Sequence, residues 1–289
     1  MYQIREYEDK YRIYELVDPS AQSWVKVAPE RGGIIIGFGV EGKELLYLDK
    51  DTFYDANANI RGGIPSLFPI CGTLTNGEYS WDGQTYQMTG HGIARTSPWE
   101  VIATDTEKEA SITLRLRSTE EMKASYPFDF AVIYRYVLKG SSLHIHQEYI
   151  NHSSQKMPFY AGFHPYFQTA EKALAYQTDA TRYLDYNDGQ IKIYKDRIDL
   201  NDMVESAMFL GGKEPRISFL LPEAGQNIVM EYGAEFRYIV LWSIQGKDFV
   251  CVEPWMGQKD ELNRKEELHY VLPGQAVRTF VSIRATAVR

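Results

Sequence analysis

Cysteine is nearly absent from this chain, with two residues, Cys71 and Cys251, in 289. Neither belongs to a C-x-x-C pair, which excludes zinc fingers and disulfide frameworks. Each sits in an apolar segment, where a buried, reduced thiol is expected. Long apolar runs are missing as well: none approaches the ~20 residues that a membrane-spanning helix needs, so no membrane partner is expected. Positive charge is in deficit, 31 lysines and arginines against 39 aspartates and glutamates, for a net charge of −8. Such a surface repels a phosphate backbone and no basic cluster offsets it, which excludes nucleic acid as a partner. The stretch from Met1 to Lys10 is charged where a secretory signal would be apolar, so a cytoplasmic location is expected. No glycine-rich loop leads from a strand into a helix, and no G-x-S-x-G elbow occurs.

Helical periodicity is equally scarce. Ser118 to Ala124 and Asp260 to Glu267 could each form a short helix, and neither is long enough to cover a sheet. Period-two alternation dominates instead. It runs through Tyr11 to Val17, Ser111 to Arg117, Phe130 to Leu138, Leu143 to Ile150, Ile217 to Leu221, Ile228 to Tyr232, Tyr238 to Ser243 and Val277 to Arg284. The pattern predicts an all-β chain, built as an antiparallel sandwich or barrel. No linker, repeat or low-complexity segment divides it, so residues 1–289 are expected to form one domain, with long loops near residues 51 to 98 and 171 to 205.

Against this background a few polar groups stand in stiff, apolar surroundings. His164 lies in Gly162-Phe163-His164-Pro165-Tyr166-Phe167, where burial would lower its pKa and a nearby carboxylate would raise it. Glu253 lies in Val250-Cys251-Val252-Glu253-Pro254-Trp255, read as a strand end that Pro254 terminates beside a cleft. Its apolar neighbours should raise its pKa and make it a stronger base. His91 is flanked by Gly90 and Gly92, which would admit a ligand close to the backbone. Arg61 opens Arg61-Gly62-Gly63-Ile64-Pro65, and Arg95 follows His91 by four residues; two arginines on converging loops suit an anionic group. His144, His146 and Glu148 alternate along one strand but lack further ligands at a familiar spacing, so no metal site is assigned there.

Taken in order, Arg61 to Pro65, His91 to Arg95, Tyr126 to Phe130, Gly162 to Phe167 and Val250 to Pro254 resemble the signatures of the aldose 1-epimerase family, the galactose mutarotase-like proteins. The resemblance implies a large antiparallel β-sandwich of the supersandwich type, needing no metal and no organic cofactor, with a sugar or sugar phosphate as its small-molecule partner. It implies that Glu253 is the general base for the anomeric hydroxyl and His164 the general acid for the ring oxygen. His91 and Arg61 would hold the sugar. Arg61 and Arg95 match positions that hold phosphate in the hexose-6-phosphate mutarotase branch. Free-sugar members carry an aspartate between the last two motifs; Glu205 to Phe209 shows no clear counterpart, which leaves Asp179, Asp185 and Asp188 as candidates. A non-catalytic carbohydrate-binding protein on the same fold is the alternative, and the presence of both His164 and Glu253 argues against it.

Overall fold

A computed structural model describes residues 1–288. Strands dominate, and the three α-helices described, Lys50–Tyr54, Glu120–Lys123 and Glu261–Arg264, are each barely a turn long. None of the helices described is long and apolar enough to cross a membrane. The alternating segments read from the sequence are all strands: Arg12–Asp18, Ala110–Arg117, Phe130–Lys139, Ser142–Asn151, Arg216–Leu221, Gln226–Tyr232, Tyr238–Trp242 and Ala276–Ala287. All their pairings are antiparallel.

Two large sheets form the sandwich. One has nine strands, with Ser142–Asn151 and Ala276–Ala287 near its centre; the other has eight and is centred on Tyr238–Trp242 and Phe249–Trp255. Aromatic side chains join their inner faces. Phe163 and Phe167 from the eight-stranded sheet meet Tyr134 and Phe219 from the other, at ring-centroid distances of 5.4 and 5.0 Å. Tyr126, Phe130 and Tyr149 surround Phe68 within 5.9 Å, pairs worth about 0.5–1.5 kcal/mol each beyond their buried area. The Tyr126 to Phe130 motif therefore serves the core, and the Tyr126 hydroxyl donates to Pro158 O. A third sheet of five strands is built from residues 3–44.

Two expectations need correction. The segment 171–205 contains four short strands, Ala173–Gln177, Arg182–Asp185, Gln190–Ile193 and Arg197–Asp199, each too short to show alternation. The segment 51–98 likewise contains a hairpin, Glu78–Trp81 with Gln84–Gln87. In addition, Pro254 does not end its strand, which continues to Trp255 with Ile239 opposite Pro254. Met256 N donates to Ala161 O and Val252 N to Pro165 O. By alternation, Pro254 turns its missing N–H toward the gap between the short strands Gly162–Phe163 and Tyr166–Gln168, where no ladder bond is lost.

Candidate active site

The two faces of Phe249–Trp255 explain where its polar residue points. Every residue in this strand is buried, because one face packs in the core and the other floors a cleft, so the sequence reads as a continuous apolar run. Cys251, Glu253 and Trp255 share the cleft face, with Trp242, Val240 and Tyr238 opposite them on one neighbouring strand. On the other side Tyr166 faces Cys251 and Gly162 faces Trp255, which brings His164 alongside Glu253.

Backbone hydrogen bonds then bring the remaining motifs together. His164 N donates to Pro65 O, and Tyr166 N to Gly63 O. Arg61 is pinned from its own backbone: Asp49 N donates to Arg61 O, and Arg61 N to the Thr52 hydroxyl. Gly62 has a φ of 140°, and a Cβ there would lie 2.5 Å from Leu48 Cα. Gly92 is similar. Its φ is 75° and a Cβ would come within 2.3 Å of Phe68 O, so the close approach that its sequence suggested is made by the protein's own chain, not by a ligand.

The result is a cleft of about 180 Å³ lined by Arg61, His91, His164 and Glu253, together with Thr73, Glu205, Ser206, Trp242, Trp255 and Lys259. A larger cavity of about 350 Å³ lies behind Tyr238–Trp242, against Phe209, Phe236 and Ile239. It has no buried acid beside a base, whereas the smaller cleft holds Glu253 beside His164.

At the cleft floor His164 Nε2 stands 3.4 Å from Glu253 Oε1. His164 is 7% exposed and Glu253 1%. The other carboxyl oxygen, Oε2, accepts a hydrogen bond of 3.0 Å from Trp255 Nε1. Burial raises the Glu253 carboxyl well above its usual range, against smaller lowering effects from Trp255 and Lys259. Burial also depresses His164 well below the usual imidazole range, helped by His91, Arg95 and Arg61. The imidazole stacks on Tyr166 at 4.7 Å and meets Trp242 edge-on at 5.7 Å, which fixes its plane.

His91 is held in a left-handed conformation, φ 66°, by two bonds to one residue. Its N donates to Gly72 O at 2.7 Å, and its Nδ1 accepts from Gly72 N at 3.1 Å. With Nδ1 accepting, the proton resides on Nε2. Burial, then Arg95, Lys259 and Arg61, push His91 down to about 3, so it is a neutral donor at physiological pH. Arg61 lies over the Trp242 ring at 5.2 Å. Lys259 Nζ lies 4.0 Å from the Tyr186 ring centre and 3.5 Å from Glu205 Oε2.

Arg95 is the candidate that the fold leaves out of the cleft. Its Nη2 donates to Gly90 O at 3.0 Å, and its Nε is buried without a partner. That bond ties it to the His91 loop. Replacing Arg95 with alanine is therefore expected to weaken free and phosphorylated sugars alike, by about 3- to 10-fold in KM; a loss confined to the phosphorylated sugar would return Arg95 to the binding wall. The three aspartates are also elsewhere. Asp179 accepts from Lys213 N and Glu214 N, and Asp185 and Asp188 both pair with Lys192. Glu205 and Ser206, where no counterpart was legible, occupy the cleft instead. His144 and His146 lie on the outer face of the nine-stranded sheet, and Glu148 pairs with Arg278.

Sequence reasoning also missed Trp242 and Lys259, and took Trp255 beside Glu253 as an apolar neighbour where it is a hydrogen-bond donor to the carboxyl. Nothing local marks Lys259.

A strand sandwich with this cleft on one sheet has the fold of the galactose mutarotase-like proteins. The sequence profile of the family described as aldose 1-epimerase matches residues 20–275. The chain belongs to the aldose 1-epimerase family, and is an isomerase. The Slr1438 protein of Synechocystis sp. PCC 6803 is 35% identical to it, with a TM-score of 0.94 and all of both chains covered. Protein LacX of Lactococcus lactis subsp. lactis is 25% identical over 268 residues, covering 81% of this chain and 86% of its own. A Salmonella typhimurium protein provisionally named glucose-6-phosphate 1-epimerase is 28% identical over 97 residues, 32% of this chain and 29% of its own.

Proposed function

We propose that the cleft opens and recloses the ring of an aldohexose, free or as its 6-phosphate, by exchanging protons with Glu253 and His164. The observation that carries this reading is the pair itself: a buried carboxyl and a buried imidazole 3.4 Å apart on the floor of an open cleft. Burial disfavours both charged forms, so in the resting pair the shared proton sits on Glu253. Moving it to His164 creates a carboxylate and an imidazolium. At 3.4 Å their attraction is about 5 kcal/mol at an effective dielectric of ~20, which offsets part of the cost of charge separation.

In that form Glu253 takes the proton of the anomeric hydroxyl while His164 protonates the ring oxygen. The bond from the anomeric carbon to the ring oxygen breaks, and the anomeric carbon becomes a carbonyl carbon. The pair is left as neutral imidazole and protonated carboxyl, its resting form. Rotation of the aldehyde followed by the reverse transfers gives the other anomer. His91 Nε2–H and Arg61 are donors to sugar oxygens in this scheme, and Glu205 is an acceptor for hydroxyls.

A pH profile tests the paired titration. A second proton inactivates the pair by removing its base. Because His164 is depressed below 6.5, that proton binds only in more acidic solution. Loss of the single proton occurs above the usual carboxylate value of 4.5, since Glu253 is raised. We expect kcat/KM to fall on the acid side only well below 6.5; an acid-side inflection at the ordinary imidazole position would contradict the shared proton. Trp255→Phe removes the donor to Glu253 Oε2, which raises the carboxyl further. It should lower kcat about 10-fold, and an unchanged kcat would remove Trp255 from the positioning of Glu253.

Substrate choice turns on the cations. Among the described residues Arg61 has no carboxylate within ion-pair distance, and this free guanidinium, with the partial likeness to a protein named for glucose 6-phosphate, supports a phosphorylated sugar. Glu205 favours the second reading, a free aldohexose, because it neutralises Lys259 and would repel a phosphate. Anomer exchange measured by NMR saturation transfer on glucose, galactose and glucose 6-phosphate separates the two. Acceleration of glucose 6-phosphate alone supports the first reading and acceleration of free sugars the second; no acceleration of any would leave a carbohydrate-binding protein.

A further inference from the structure

Cys251 takes no part in the proton transfers, yet it sits against both groups that do. It is two residues from Glu253 on the same strand face, and its register partner Tyr166 is two residues from His164. An imidazole nitrogen, the thiol sulfur and a carboxylate oxygen from His164, Cys251 and Glu253 lie within 4.8 Å of one another, and all three residues are buried. Among the described residues this is the one cluster of three such donors. His164 Nδ1 is buried without a hydrogen-bond partner.

We propose that this trio binds a thiophilic divalent cation, of the zinc and cadmium class, and that the bound cation inhibits the enzyme by occupying its acid and its base together. The inhibition, though not the binding, rests on the reading of the cleft given above. A thiolate and a carboxylate neutralise a dication, which is what a buried site requires. The sulfur selects against magnesium and calcium, which take oxygen donors. With Zn–S about 2.3 Å and Zn–N about 2.0 Å, a zinc tetrahedron has edges of about 3.3–3.5 Å. His164 Nε2 and Glu253 Oε1 already stand 3.4 Å apart, and the three donors lie within 4.8 Å of one another, a spread that the larger cadmium ion spans with less movement than zinc. Both His164 and Glu253 line the cleft, which supplies an entry path and an open coordination position for water. Coordination releases the thiol proton and the pair's shared proton to solvent, about two per cation, so binding tightens as pH rises. Arg61, Arg95 and Lys259 bring positive charge to the trio, and its other titratable neighbours are His91, Tyr166 and Cys71. That charge makes the site weaker than a dedicated structural metal centre, as befits an inhibitory one.

Cadmium titration of the full chain, followed by the ultraviolet sulfur-to-cadmium charge-transfer band, tests this directly. The band should saturate at about one cation per chain and vanish with chelator. It should persist in Cys71→Ala and be lost in Cys251→Ala. Glu253→Gln, which keeps the sulfur, should retain the band with at least ~10-fold weaker binding, and gives the answer if Cys251→Ala does not fold. No band at large cadmium excess, a band that survives Cys251→Ala, or undiminished affinity in Glu253→Gln would each overturn the assignment. The band reports coordination and not turnover, so a protein that bound cadmium but moved no anomers would fail the sugar reading alone.

Discussion

Replacing Glu253 with glutamine lowers the rate of anomer exchange by at least ~10²-fold and leaves the protein folded. The two halves of this expectation have separate physical origins. Glutamine keeps the shape of the carboxyl and an oxygen that can accept from Trp255 Nε1, the bond that fixes the group in place. Because burial already favours the uncharged carboxyl, a neutral amide loses little in the resting protein. What it cannot do is release a proton to His164 and take another from a sugar. The same variant should lose the basic limb of the pH profile. Turnover within a few-fold of the parent enzyme, measured by saturation transfer, would show that Glu253 is not the base.

His164→Asn should cost a comparable factor of at least ~10² in turnover. Asparagine preserves a polar side chain against Glu253, but it cannot carry the proton to the ring oxygen. Here the fold is less indifferent. The imidazole fills the space between the Tyr166 face and the Trp242 edge, and the smaller side chain leaves that space partly empty. We expect a loss of about 1–3 kcal/mol in stability, read from denaturant unfolding, beside the kinetic loss. The diagnostic readout is a split between kcat and KM: a fall mainly in kcat marks an acid, whereas a rise in KM alone would mark a sugar contact.

Much of this site was legible in the chain because its residues stand in segments that few sequences tolerate by chance. His164 is trapped between Phe163 and Pro165, and His91 between two glycines. Arg61 precedes a pair of glycines that the packing against Leu48 and Ile35 requires. Such local constraints mark a position without saying what faces it. Arg95 shows the limit. Four residues from His91, it reads as a second anchor for an anion, and in the fold the 3₁₀ turn Ala94–Thr96 leaves its Nη2 bonded to Gly90 O, a contact that the spacing does not foretell. Glu205 shows the converse, since no pattern around it suggested a cleft residue. It reaches the cleft because the neighbouring strand Ala207–Leu210 pairs with Tyr238–Trp242, a contact between segments about thirty residues apart.

The sequence by itself determined the strand content, the antiparallel class and the absence of a helical layer, and it marked His164 and Glu253 as the candidates for acid and base, because alternation and stiff flanks are local properties of a chain. Tertiary structure alone decided which polar groups share a cleft. Register places Cys251, Glu253 and Trp255 on one face against Tyr166 and Trp242, and Trp255 then orients the carboxyl. Burial supplied the last property, the opposed shifts of Glu253 and His164. Desolvation belongs to the folded surroundings of a group, and no spacing along the chain encodes it.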